Sequence, residues 1–266
     1  MRDQRFPAYA LTVSILLAFA LVAAGCGDDA DTGVDATTTT TTVVASTAPP
    51  TTAPTTTTTA LDPMPIPDDE LPGEDFELSP AAGSSLAVVG VAFDDTLNVR
   101  RGPGVDHDVV AELDPTENDV TASGRARLLT ESIWWEVTAP DGTLGWVNSR
   151  FTAQPGSTDD ATAQVISLLG ETPTAATMEG LGELVAGALE GDGDIPSSVT
   201  LTVPASLGDL GEVTYDLIGL GDDSVHGLRL HVFGTPGDSG GFSLKSVEST
   251  ALCDSVRGVG ASGLCT

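Results

Sequence analysis

Leu97-Asn98-Val99-Arg100-Arg101-Gly102-Pro103-Gly104 alternates apolar and polar residues twice and then breaks into a turn. Period-two alternation is the mark of a half-buried β-strand, with Leu97 and Val99 facing inward and Asn98 and Arg100 outward. Gly102-Pro103-Gly104 turns the chain sharply, because proline presets one φ and glycine tolerates unusual ones. Working outward, similar short runs occupy 86–91, 109–113, 120–124, 134–138 and 143–147. Asp141-Gly142 between the last two is a strong hairpin signal, since both turn positions need positive φ. Short strands at this spacing predict a small β-barrel over residues 85–154.

The next region, 157–266, begins with two helical patterns. Ala161, Val165, Leu168 and Leu169 fall on one face, behind a capping-box spacing of Ser157 and Asp160, and Gly170 offers a stop. Met178, Leu181, Val185 and Leu189 repeat the pattern, although Gly180, Gly182 and Gly187 weaken that helix. Strand-like runs follow at 199–203, 213–218, 228–233 and 242–247. Helices followed by a strand meander predict a separate α+β domain.

Three motifs of the first region occur together in one order and spacing. They are 97–104, Trp134-Trp135-Glu136-Val137 and Asp141-Gly142-Thr143-Leu144-Gly145-Trp146-Val147. Together they resemble the bacterial SH3-like domain over about 65 residues. The resemblance implies a targeting or binding module for cell-wall peptides or protein ligands. Trp135, between Ile133 and Val137, is the better core residue, which leaves Trp134 beside Glu136 on the open face. Asn98, Arg101, Trp134 and Trp146 are therefore the candidate groove residues. The bland alternative is that all three tryptophans fill a small barrel, and that Arg101 is a solvated turn residue instead of a partner for a ligand carboxylate.

Ahead of this region, Arg2 and Arg5 precede an almost uncharged run to Gly25, and Ala23-Ala24-Gly25-Cys26 ends it. A basic start, an apolar stretch and small residues before the cut are the parts of a secretory signal. The stretch 8–24 is shorter than the ~20 residues a spanning helix needs. The final four residues resemble the lipobox of bacterial prolipoproteins, which implies signal 1–25 and lipid attachment at Cys26. A plain secreted protein and an uncleaved membrane anchor are the alternatives. Residues 26–84 then read as a disordered linker, threonine- and proline-rich at 37–59 and acidic at 62–80. So little apolar surface does not offset the entropy of ordering. As a flexible stalk it averages about 40 Å end to end.

The formal net charge is −29, with 10 basic against 39 acidic residues. Such a chain repels polyanions, so nucleic acid is excluded as a partner. The barrel region shares this acidity through Asp94, Asp95, Asp106, Asp108, Asp114, Glu117 and Asp119, which favours a peptide or protein ligand over an anionic wall polymer. Cys253 and Cys265 remain as an even pair outside the cytoplasm, and the expectation is a disulfide tying back the glycine-rich tail. A free thiol pair or half a metal site are the alternatives.

Catalytic signatures are weak. Gly237-Asp238-Ser239-Gly240-Gly241 spells a serine-protease nucleophile motif, but His107, His226 and His231 lie in no matching histidine motif. The motif reads as a glycine-rich turn. Asp192 with Asp194, and Asp222 with Asp223, lack the spacing of a calcium loop. The resulting expectation is a multidomain chain: lipoprotein signal, linker, small all-β SH3-like barrel, α+β domain. It is lipid-anchored on the extracytoplasmic face of a bacterial cell membrane and binds a cell-wall peptide or envelope protein. No catalysis, cofactor or metal is expected. The rivals are an envelope hydrolase with a C-terminal catalytic domain, and a sensor or partner subunit of a membrane complex. Mass spectrometry of the mature N-terminus should find Cys26 first and carrying acyl mass; an unmodified Cys26 or a cut elsewhere would refute the anchor.

Overall fold

The computed structural model describes residues 66–190, 197–238 and 240–266. The signal, Cys26, the threonine tract, Asp192, Asp194 and Ser239 lie outside the described residues. Strand β1 (Glu74–Asp75) precedes β2 (Ser85–Val88), β3 (Leu97–Arg100), β4 (Val109–Leu113) and β5 (Val120–Leu128). Next come β6 (Ile133–Thr138), β7 (Leu144–Asn148) and β8 (Thr152–Asp160). Helix α1 (Thr162–Leu169), β9 (Thr174–Ala175) and α2 (Met178–Glu190) lead into β10 (Ser198–Leu207) and β11 (Gly211–Ile218). Two long strands close the chain, β12 (Val225–Pro236) and β13 (Phe242–Cys253). Among the described residues no helix is long and apolar enough to cross a membrane.

These strands join one 13-stranded sheet in the order β10-β11-β12-β13-β8-β2-β5-β6-β7-β3-β4, with β1 on β5 and β9 on β13. Among the described residues the strand pairings are all antiparallel. This overturns the expected small SH3-like barrel followed by an α+β domain. The physical reason lies in β8 and β2. β8 runs unbroken through residues 154–157, pairing with β2 at Thr152 and Ala153 and with β13 from Gln154 onward. β2 in turn pairs with β5 at Ser85 and Leu86, then with β8 at Ala87 and Val88. Neither half therefore closes on itself. All described residues also belong to a single compact unit, Thr58–Thr266.

Two main cores flank this seam. One gathers Leu86, Val88, Leu97, Val99, Leu113, Trp135, Val137 and Val147. The inward alternation expected of Leu97 and Val99, and the core place of Trp135, are thus what the strands adopt. The other places α1 and α2 against one face of β10–β13 through Val165, Leu181, Val185, Tyr215, Leu217, Leu230 and Val232. Gly182 permits this contact: a Cβ there would lie 2.3 Å from the Tyr215 ring. The Tyr215 hydroxyl donates to the Glu179 carbonyl at 3.1 Å, and burial, with Glu183 and Glu179 nearby, pushes its pKa to about 12. Asp160 accepts from the Thr162 amide at 2.8 Å to start α1, and Gly170, at φ 79°, ends it. A third, small cluster of Ala87, Val89, Ala153, Leu252 and Ile218 lies at the seam.

The seam also holds a buried ion pair. Asp216 and Arg229 are direct partners across β11 and β12. Arg229 Nε donates to Asp216 Oδ1 at 2.8 Å and Nη2 to Oδ2 at 2.9 Å. The remaining capacity is spent on the first half of the chain. The Gly90 amide donates to Asp216 Oδ2 at 2.9 Å, while Arg229 Nη2 donates to the Val88 and Pro115 carbonyls at 2.7 and 3.1 Å. At the tail, Cys253 and Cys265 form the expected disulfide.

Removing one member of so buried a pair strands the other, at about 3–5 kcal/mol. Arg229→Ala should therefore lower the urea midpoint sharply, and the wild-type chain should melt in one transition by both tryptophan fluorescence and far-ultraviolet dichroism. Two separated transitions would contradict the continuous sheet.

Candidate functional site

Alternation along four adjacent strands sends one set of side chains away from the first core. These are Arg125 and Arg127 on β5, Trp134 and Glu136 on β6, Trp146 and Asn148 on β7, and Asn98 and Arg100 on β3. The register places Trp134 opposite Asn148 and Arg127, and Trp146 opposite Glu136 and Arg100. Gly145 makes the close strand packing possible, because a Cβ there would lie 2.6 Å from Val99 and 2.7 Å from the Arg100 carbonyl oxygen. That glycine serves strand β3.

A cavity of about 410 Å³ opens on this face beside the 90–97 loop. Asn98, Arg100, Trp134, Asn148, Phe151 and Val105 line it, with Thr200 of β10 contributing from the second half of the chain. The Arg100 guanidinium is held by the His107 carbonyl at 2.8 Å, and the Asn148 side-chain oxygen accepts from the Arg150 amide at 3.0 Å. The cavity therefore presents an aromatic and aliphatic floor with a few placed polar groups, the usual make-up of a ligand site. Arg101 and Trp146 do not share it. They line a neighbouring hollow of about 650 Å³ with Arg125, Glu136, Asp108, Asp141 and Ile66. The four sequence candidates thus divide between two adjacent depressions.

Trp134 is not on an open face. It is 3% exposed and Trp146 is 2% exposed. The cause is a segment the sequence assigned to the linker. Within residues 66–84, Leu71 is buried against both tryptophans, with Ile66 and Leu129 beside them. The linker expectation for 26–84 is thus corrected at its C-terminal end, because Ile66, Leu71 and Phe76 supply the apolar anchors that a purely polar stalk lacks. β1 pairs Glu74 with Leu128 and Asp75 with Arg127.

Arg125 and Arg127 are the site residues missed by sequence reasoning. Their signal was the alternation Gly124-Arg125-Ala126-Arg127, which puts two of the chain's few cations on one strand face. The Arg125 guanidinium contacts Glu136 at 2.8 Å, pairs with Asp68, and lies 5.6 Å from the Trp146 ring centroid, a cation–π distance. Arg127, nearly buried, donates from Nη2 to the Asp68 carbonyl at 2.9 Å, with Asp75 3.3 Å from its Nε.

Other singled-out groups are tied into structure. Asp222 accepts from the Ser224 and Val225 amides, which lowers its pKa, and Asp223 pairs with Arg257. Gly240 and Gly241, at φ 90° and 78°, belong to the turn between β12 and β13, and Ser239 lies outside the described residues. His231 sits between Glu212 and Glu248 at 3.4 and 3.9 Å. Among the described residues no group of three metal-ligating side chains is assembled. Compared with protein-family models, curated proteins and solved structures, the chain matches none.

His226 differs from the other histidines. It is mostly buried, its Nε2 has no hydrogen-bond partner among the described residues, and burial holds its pKa below the ordinary 6.5. The folded chain thus favours the neutral imidazole, and the unfolded chain takes up a proton first as pH falls. Stability present above pH 6.5 should be lost as pH drops through the lowered value. Urea titrations at pH 7.5 and 5 should show a smaller pH-dependent loss in His226→Asn than in wild type; equal losses would show that His226 is not the source.

Proposed function

We propose that this chain is an extracytoplasmic lipoprotein, anchored through Cys26, that binds a cell-wall peptide or an envelope protein and carries out no chemistry itself. The observation that carries the binding part is the cavity around Asn98, Trp134, Asn148 and Phe151. Its apolar floor suits an aliphatic or aromatic ligand group. Asn98 and Asn148 offer amide donors and acceptors of the kind a peptide backbone needs. The net charge of −29 favours a peptide over an anionic polymer. The motifs at 97–104 and 134–147 add a sequence resemblance to bacterial wall-targeting modules. The anchor rests on the sequence ending at Cys26.

Trp134 is a poor probe of this reading, since truncating a buried indole disturbs folding as well. Asn98, whose side chain makes no hydrogen bond among the described residues, is a better one. Residues 27–266 should co-sediment with isolated wall sacculi or retain a soluble wall peptide. Asn98→Ala should weaken that binding about tenfold, the worth of one well-made hydrogen bond, with an unchanged melting temperature. No retention on sacculi, on peptide, or of any protein from detergent-solubilised membranes would sink the binding function.

A further inference from the structure

Residues 66–72 lie across the two tryptophans as a bound peptide would. The stretch Ile66-Pro67-Asp68-Asp69-Glu70-Leu71-Pro72 is acidic, flanked by prolines, and inserts one leucine. Leu71 is 7% exposed and packs with Trp134 and Trp146. Asp68 pairs with Arg125, and its carbonyl accepts from Arg127. The chain then adds β1 along the free half of β5, the geometry by which extended peptides extend a sheet edge.

The attachment is uneven along its length. From residue 76 onward the backbone is tied to β5, by the Phe76 amide on the Ala126 carbonyl at 3.1 Å and the Gly83 amide on the Ala122 carbonyl at 2.8 Å. Residues 66–72 have no such ladder. A three-residue 3-10 turn at Asp68–Glu70, the packing of Ile66 and Leu71, one hydrogen bond from Arg127 to the Asp68 carbonyl and an ion pair hold them. That pair is an exposed one, with 41% and 76% of the two side chains accessible, so it contributes little. The segment also sits between the two depressions: Trp134 lines one, while Trp146, Ile66 and Asp68 line the other.

We infer that residues 66–72 are a tethered occupant of a peptide-binding face, and that the ligand of this face is an acidic, extended partner segment carrying an apolar residue in the place of Leu71. This rests on the reading of the protein as a peptide binder and gives the ligand its chemistry. Arg125 takes an acidic group and Arg127 a backbone carbonyl, and the face formed by Trp134 and Trp146 takes the apolar side chain. When the tether lifts, the two depressions join into one aromatic groove. The tether lowers the observed affinity of any such partner by the fraction of time it is closed.

The test uses residues 27–266 and a fluorescently labelled peptide of residues 66–75. Asp68→Lys with Leu71→Ser should release the segment. Bound peptide should then be detected with a dissociation constant at least about tenfold below that for the unaltered chain. Adding Arg125→Ala to the released chain should weaken peptide binding again, by up to about fivefold. In the unaltered chain, amides of 68–73 should exchange with deuterium well before those of β6 and β7. A released chain that melts cooperatively yet binds no peptide would overturn the inference. So would 68–73 amides that exchange only on global unfolding, a result readable even if the released chain does not fold. Sacculus binding by the same proteins separates the two readings: peptide failure with sacculus binding intact defeats only the acidic ligand, and the reverse defeats only the wall.

Discussion

Asp216 and Arg229 hold the two halves of this chain in one fold. A carboxylate that is 0% exposed is tolerable only if every lone pair it turns inward is met. Arg229 supplies two of the donors from the neighbouring strand, and the Gly90 amide supplies a third from the other half. The guanidinium needs acceptors in the same way and finds them at Val88 and Pro115. The charged groups of the second half are therefore satisfied by the backbone of the first. A division between the halves would leave two buried charges, or their solvation, to be compensated elsewhere.

That constraint also positions the candidate site. Fixing Val88 and Gly90 fixes the start of the 90–97 loop, whose middle is held by the Phe93 amide on the Leu201 carbonyl at 3.0 Å. The loop forms one wall of the cavity, and Thr200, next to Leu201 on β10, reaches it from the second half. A cavity shared between the halves needs both to exist. The neighbouring hollow is built differently. Ile66 and Asp68 line it, on a stretch of acidic chain that Ile66 and Leu71 pack against two indoles.

Several features of the site were legible in the residues. The alternation Leu97-Asn98-Val99-Arg100 predicts which side chains face out, and the structure places Asn98 in the cavity. Ile133 and Val137 beside Trp135 predict its core position, and it packs there. The same reasoning placed Trp134 on an open face, and the direction was right but the exposure was not. Period-two patterns say which way a side chain points and nothing about what lies over it. The cover came from 66–72, where composition alone argues for disorder because Ile66 and Leu71 are diluted among acidic residues and prolines. Arg125 and Arg127 went unremarked for a related reason: their partners, Asp68 and Asp75, are more than fifty residues away in sequence.

By itself the sequence determined the local elements: the strands and turns from 97 to 147, two helices with Gly170 ending the first, and the Cys253–Cys265 pair. Those choices depend on neighbours within a few residues, through backbone preference, capping and periodicity. The capping box expected of Ser157 and Asp160 does not form, because both residues belong to β8. Only the tertiary structure decided that the strands form one sheet and not a barrel beside a second domain. Pairing of β8 with both β2 and β13 is a choice among distant partners, and strand periodicity is the same whichever partner is chosen. The buried Asp216–Arg229 pair and the burial of Trp134 beneath Leu71 belong to that second class, since each joins groups that sequence keeps apart and only the completed sheet brings within hydrogen-bonding or van der Waals reach.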